Sequence, residues 1–482
     1  MSESTRAIGI TTWNDLVRER WLGSAEPAVI SRESVWSGDE LLRRAGGAAA
    51  WLSAAGFPVG APVPAVLDES PLAIALAVGA SLGGRPLAPL GTKLPPDDLA
   101  VALSGVDAMG VVATLESAPA AAEAARRAGC ALHVLGENPS SADLPDVASA
   151  PDDVALVVHT SGTTGAPKPV RIRHHELLAR IGTYAGALTL GPGDRYCSAS
   201  PFYHTAGVAM VFTALGAGAA VIPQAWFSVE GWRLAGRLGM SCALLVPTMI
   251  DLLLAAGALA DARPRVLQYG AAPIDPTTLT EALRALAETR FIQIFGQTEV
   301  SPISVLSHAD HLRALDDRVD LLGSVGRPVS GLELCVEGAG DDGVGELAVR
   351  APHVFVADPD GWRRTGDLGR LDEEGYLWLR GRVHDRIVRG GENIYPLEVE
   401  RALSTHSGVC DVAVVGMSDR RWGEIVKAAI VPADPSAPPS AEELSAHARA
   451  RLAHFKVPEI FEVVPELPRN ASGKVLRRKL VG

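Results

Sequence analysis

The residues with the clearest chemical content form one run, VVHTSGTTGAPKPV, at positions 157–170. An apolar stretch leads into Thr160, Ser161, Gly162, Thr163 and Thr164, followed by Gly165 and Lys168. Glycines let main-chain N–H groups converge on an anion, hydroxyls donate further hydrogen bonds, and a lysine adds a compact positive charge. That is the composition of a phosphate cradle. The Walker pattern GxxxxGK[ST] is not met, because Pro167 precedes the lysine and Pro169 follows it. Taken alone, the glycine and hydroxyl run equally suits an exposed loop.

Other single residues carry chemistry only through their surroundings. His204 lies in SPFYHTAG, Glu299 in FGQTE, Asp367 in WRRTGDLG and Lys474 in NASGK. In isolation His204 reads as a satisfied core histidine, and one glutamate after a strand says little about a metal. A basic C-terminal run is usually a solvated end. The chain has only six lysines (93, 168, 427, 456, 474 and 479) among 44 basic residues, so each lysine merits a question.

Short apolar runs alternating with Ala/Leu-rich stretches must position these groups. PVPAVL, RPLAPL, GVVAT and ALHVL, then SCALLVP, RVLQYG and FIQIFG, read as strands linked by helices such as PLAIALAVGASL and TTLTEALRALAET. This rhythm predicts parallel sheets with helical crossovers. From about residue 320, GLELCVEG, GVGELAVRA and EGYLWLRGR predict hairpins or a small barrel. Beyond GRVHDRIVRGG (381–391) a further α+β unit is expected, with ADPSAPPSA (433–441) as a surface loop inside it.

The bulk properties bound the answer. The chain has 482 residues, 47% hydrophobic and 21% charged, with a net charge of −12. That length predicts at least two domains, and the composition excludes collagen-like, disordered and small disulfide-scaffold classes. The charge divides as −13 for residues 1–383 and +1 for residues 384–482. An acidic chain without a lysine-rich run argues against non-specific nucleic-acid binding. Five scattered cysteines (130, 197, 242, 335 and 410) lack CxxC spacing and read as free thiols in a reducing cytosol. The N-terminal residues show no signal peptide. Residues 196–229 contain no Asp, Glu, Lys or Arg but never give about 20 continuous apolar residues, so no membrane span is expected. A soluble, cytoplasmic protein is the expectation.

TSGTTGAPK resembles the signature loop of the adenylate-forming superfamily, which includes acyl-CoA synthetases, peptide-synthetase adenylation domains and firefly luciferase. Further segments resemble that superfamily's landmarks in the same order, over about residues 155–480, with weaker agreement at GRPLAPLGTKLP (84–95). The resemblance implies an α/β N-terminal domain, residues 1–382, of two sheet–helix subdomains plus a small β-barrel. It also implies a hinge at 383–385, centred on His384, and a mobile α+β domain at 386–482. His204 would lie between acyl pocket and nucleotide, with Gly207, Val208, Gly270 and Val300 lining the acyl side. YGAAP (269–273) would bring Gly270, Ala271 and Ala272 along the adenine. In FGQTE, Phe295 would stack on adenine beside Gly296, Thr298 would contact the α-phosphate and Glu299 would hold Mg²⁺. Asp367 would accept from both ribose hydroxyls, a task suited to an acceptor-only carboxylate. Arg382 takes a nucleotide-contacting position, Gly390, Gly391 and Glu392 would face the coenzyme A tunnel, and Lys474 matches the catalytic lysine.

The implied chemistry is acyl-adenylate formation from a carboxylic acid and ATP, then transfer to coenzyme A with release of AMP. Thr163, Glu299, His204 and Lys474 would be its catalytic residues. An acyl carrier protein is the alternative acceptor, and the enzyme would be a monomer or homodimer. Two departures from the family pattern stand out: Pro169 follows the loop lysine where glycine is usual, and His384 replaces the usual aspartate or lysine. No acidic residue accompanies FYHTAGVAM, which disfavours an α-amino acid substrate and points to an uncharged aliphatic, aromatic or polycyclic acid. A kinase or NTPase, releasing ADP, and a non-catalytic nucleotide-binding relic are the rival readings.

Overall fold

In a computed structural model, residues 9–136, 140–161, 167–469 and 475–481 are described. The chain divides into two compact units, Met1–Glu333 with Arg350–Gly361, and Leu334–Val349 with Trp362–Gly482.

The first unit contains two parallel sheets. The smaller has six strands in the order Ala131–Leu135, Gly110–Thr114, Val63–Val66, Leu87–Leu90, Val154–Ser161 and Pro167–Arg173, the last antiparallel. VPAV and LAPL are buried at every position, as parallel strands covered on both faces must be. The helix Pro71–Leu82 is capped by Ser70, whose side chain accepts from the Ala73 N–H, and Pro71 occupies its first turn, where a missing N–H costs nothing. Every residue from Ala73 to Leu82 is buried, which explains why this stretch is apolar all round.

The larger sheet has nine strands. Its parallel centre runs Arg290–Gln297, Val266–Gly270, Cys242–Leu245, Arg195–Ser198, Ala220–Pro223 and Pro27–Ile30. Antiparallel strands flank it, among them Val300–Leu306. The uncharged stretch at 196–229 supplies two of these strands and the buried helix Met210–Ala217 between them. One apolar core, including Val63, Leu87 and Leu156 from the smaller sheet and Tyr196, Leu244 and Ile292 from the larger, joins both.

In the second unit the expected hairpins form a four-stranded sheet, Glu333–Glu337, Gly345–Arg350, Arg363–Leu371 and Leu377–Arg382. A second sheet follows, built on the long hairpin Val409–Asp419 and Gly423–Pro432, with helices Pro396–Ser404 and Ala441–Arg449. Its core is Val399, Leu403, Val414, Val426, Ile430 and Leu444. Residues 383–385 form a short 3₁₀ turn, and His384 is exposed. The four-stranded sheet thus belongs largely to the same unit as the C-terminal segment. The five cysteines are free, with Cys197 and Cys242 buried. Among the described residues no helix is long and apolar enough to cross a membrane.

His159 (7% exposed), His174 (1%) and His311 (0%) are almost fully buried. Burial holds each one's pKa down at about 4 against an ordinary 6.5. His311 links Ser307 O and the Tyr269 hydroxyl, each at 2.7 Å, so its Nδ1–H donates and its Nε2 accepts. The unfolded chain takes up these protons as pH falls through 6.5, whereas the folded chain waits until about 4. Their contribution is therefore intact above pH 6.5 and lost between 6.5 and 4, at up to about 2 kcal/mol each by pH 5. Glu69, whose carboxyl burial pushes up, acts in the opposite sense. Calorimetry should give a clearly lower Tm at pH 5 than at pH 7; an equal or higher Tm would contradict neutral burial of these rings.

Candidate active site

The sequence-predicted groups of the first unit leave the carboxyl ends of parallel strands, where loops of such sheets gather and ligands bind. SPFYH follows Arg195–Ser198, YGAAP ends Val266–Gly270, FGQTE ends Arg290–Gln297, and the phosphate-loop run ends Val154–Ser161.

The described residues on either side of that run pair as antiparallel strands. Thr160 pairs with Lys168 and Ser161 with Pro167, and the Thr160 hydroxyl donates to Lys168 O at 3.4 Å. Pro167 and Pro169 are tolerated because the returning strand is the sheet's edge. Lys168 is exposed. Gly162, Thr163 and Thr164 lie outside the described residues.

His204 precedes a single π-helical turn, Thr205–Ala209, which runs into the helix Met210–Ala217. Such turns recur at functional sites because they re-aim side chains within a helix. Gly207 is required here: a Cβ on it would lie 2.2 Å from Pro201 O. Val208 and Val300 are fully buried. The His204 Nε2 is buried with no hydrogen-bond partner among the described residues, and desolvation pushes its pKa down to about 4. The ring is therefore neutral at pH 7, and packs against Tyr203 with centroids 4.4 Å apart.

Gly270 pairs with Ile294 on the neighbouring strand, so YGAAP and FGQTE emerge side by side. Ala271 has φ +67°, a left-handed conformation that costs a non-glycine residue energy and is commonly retained at binding sites. Ala272 is exposed; Phe295 and Gly296 are half-buried. Gln297 pairs with Val300, so Thr298 and Glu299 are the two residues of a tight hairpin turn. Glu299 O accepts from the Phe355 N–H at 2.8 Å, which fixes that turn from the main chain. Among the described residues no three His, Cys, Asp or Glu side chains form a metal cage. A lone hard carboxylate at a turn fits Mg²⁺, which keeps waters and binds through one or two carboxylates plus phosphates.

In the second unit, Asp367 and Arg382 face each other on adjacent antiparallel strands, and Arg382 Nε lies 2.9 Å from Asp367 Oδ1. Asp367 is 6% exposed. The two nucleotide-contacting candidates are thus one ion pair, with the guanidinium orienting the carboxylate. Gly390 and Gly391, with φ +60° and +91°, form a two-residue turn closed by Arg389 and Glu392. Positive φ at both positions is the type I′ hairpin geometry. Lys474 lies outside the described residues, but the chain on each side of its segment is anchored. Arg469 bridges Val475, the Leu476 N–H donates to Pro468 O at 2.7 Å, and Arg477 pairs with Glu400 and, at 3.5 Å, Asp385.

Sequence reasoning gave no role to Lys93 or Lys427, and the structure gives contacts for both. Lys427 holds the tail by donating to Leu480 O at 2.9 Å, and Lys93 lies 3.6 Å above the Trp226 ring. It also missed Arg180 and Arg477. The available signal for Arg180 was a cation among the apolar positions Leu177, Ile181 and Tyr184 of one helix face.

Comparison with known proteins agrees with this arrangement. The model of the AMP-binding enzyme family matches residues 23–356, and that of the AMP-binding enzyme C-terminal domain matches residues 398–474. The chain belongs to the AMP-binding enzyme family. It is an adenylate-forming enzyme of the AMP-forming acid–thiol ligase type, similar to acyl-CoA synthetases. A sulfoacetate–CoA ligase of Cupriavidus necator is 33% identical over 466 residues, covering 89% of each chain. A fatty acid–[acyl-carrier-protein] ligase of Streptomyces coeruleorubidus is 32% identical, covering 94% of this chain and 92% of its own. The structure of an amide bond synthetase from Marinactinospora thermotolerans superposes with a TM-score of 0.86 at 28% identity, covering 98% of this chain and 99% of its own.

Gly207→Ala must displace the main chain of the π-helical turn, at a cost of about 1–3 kcal/mol. We expect a lower Tm and reduced acid-dependent turnover in this variant. Wild-type values for both would show that the turn accommodates a Cβ and is not rigidly set.

Proposed function

We propose that this enzyme activates a carboxylic acid with no second charged group, using ATP to form an acyl-adenylate and pyrophosphate, and then transfers the acyl group to coenzyme A, releasing AMP. The observation that carries the reading is that both family models match, the second ending at residue 474, the position assigned to the catalytic lysine.

The first half-reaction is an electrostatic problem, because a carboxylate must approach a triphosphate and share charge with it in the transition state. No general base is needed, since the acid is already ionised. Donors from 160–164, Lys168 and the ammonium of Lys474 would offset the repulsion, with Thr298 on the α-phosphate. Mg²⁺, held by Glu299 and phosphate oxygens, would neutralise further charge. Phe295 and Gly270–Ala272 would hold the adenine, and Asp367, oriented by Arg382, the ribose. His204, neutral and desolvated, would meet the reacting carboxyl group beside the apolar wall of Gly207, Val208 and Val300.

For the second half-reaction, residues 386–482 would rotate about 383–385, withdrawing Lys474 and bringing Gly390, Gly391 and Glu392 to the thiol. Transfer to a carrier-protein thiol is the second reading, favoured by the similarity to a fatty acid–[acyl-carrier-protein] ligase.

Acid-dependent exchange of pyrophosphate into ATP, screened over aliphatic, aromatic and polycyclic acids, should be detectable; its absence across the panel sinks the proposal. Lys474→Ala should lower that exchange at least 100-fold while thioester formation from supplied acyl-adenylate stays within a few-fold. Equal loss of both steps would remove Lys474 from the role assigned here. With coenzyme A as the sole thiol, AMP release should accompany thioester formation, whereas a strict carrier-protein ligase would give none.

A further inference from the structure

Arg180 lies on the helix His174–Leu188 and is 1% exposed. Its Nη1 donates to the main-chain oxygen of Ser301 at 2.9 Å, and its Nη2 contacts Met210 Sδ at 3.2 Å. The guanidinium carbon lies 4.3 Å from the centre of the Tyr184 ring, one helical turn away. The Tyr184 hydroxyl in turn bonds Ser301 Oγ at 2.7 Å, and His353 Nε2–H donates to Pro302 O at 2.7 Å. Ser301 is thus gripped at both its oxygens, and its neighbour at a third. No carboxylate among the described residues pairs with Arg180.

Desolvating a guanidinium without a counter-ion is expensive, and an apolar side chain of similar volume would fill the space at less cost. The charge is placed instead where two functional segments meet. Ser301 stands two residues beyond Glu299, next to the Val300 that closes the Thr298–Glu299 turn. Met210 opens the helix that continues the π-helical turn following His204. A planar fork presents donors to both in one rigid plane.

We propose that Arg180 is a positioning residue for adenylation. Its guanidinium, with Tyr184, locks the Thr298–Glu299 hairpin to the His204 helix, so that the phosphate-facing and acyl-facing groups keep one fixed separation. This rests on the adenylation reading given above.

The test uses the full chain and its Arg180→Lys and Tyr184→Phe variants, with folding checked by Tm. Two readouts are taken: the dissociation constant of a non-hydrolysable ATP analogue with Mg²⁺, by calorimetry, and acid-dependent pyrophosphate exchange. Arg180→Lys is expected to weaken analogue binding about 10-fold and lower exchange more than 10-fold at temperatures where it is fully folded. Tyr184→Phe should shift both in the same direction, about threefold. A residue that merely fills the core would lower Tm without moving the dissociation constant of the folded protein. A folded Arg180→Lys within twofold of wild type on both readouts overturns the proposal. Where Arg180→Lys does not fold, a Tyr184→Phe variant indistinguishable from wild type overturns it. If wild type binds the analogue but exchanges no pyrophosphate with any acid, the adenylation reading fails, and the binding shift alone still decides the clamp.

Discussion

Parallel strands joined by helical crossovers all point the same way, so the segments leaving their carboxyl ends accumulate along one edge of each sheet. The first unit depends on this constraint. The phosphate-loop hairpin, the histidine segment, YGAAP and FGQTE are scattered over more than a hundred residues, yet each leaves such an end. The strands behind them are buried runs, so the loops are mounted on the most rigid part of the molecule. Antiparallel additions, Pro167–Arg173 on one sheet and Val300–Leu306 on the other, convert two strand ends into hairpins.

Electrostatics then separates the parts. A chain of net charge −12 must receive polyanions, so attraction has to be local. Lysine is confined to a few positions, two of them in the phosphate loop and the C-terminal tail. Arginine works structurally instead: Arg382 orients Asp367, Arg477 ties the tail to Glu400 and Asp385, and Arg180 joins the strand of Ser301 to the helix of Met210. The planar fork suits a side chain that must satisfy two partners, and the slender ammonium suits one that must enter and leave a phosphate site.

Much of this was legible in the amino-acid sequence. Alternating apolar and Ala-rich runs located the parallel strands, because buried strands and crossover helices differ in length and period. Motif order located the candidate residues, because phosphate and carboxylate chemistry restricts residue types. Long-range pairing was not legible. That Asp367 faces Arg382 depends on strand register, and that Lys427 anchors Leu480 depends on tertiary approach. Pro169, a departure from the family pattern, lies with Pro167 in an edge strand that tolerates both. Arg180 carried no motif, only a charge in an apolar stripe. Thr163 and Lys474 belong to segments outside the described residues, so their assignment rests on sequence.

The central claim is that a carboxylate oxygen attacks the α-phosphorus of ATP. Turnover with an acid labelled with ¹⁸O in both carboxyl oxygens tests it directly, because one of those oxygens becomes the bridge of the adenylate and leaves with AMP. The account predicts one ¹⁸O atom in each AMP released and none in pyrophosphate. Label in inorganic phosphate with formation of ADP, or AMP free of label, would contradict it.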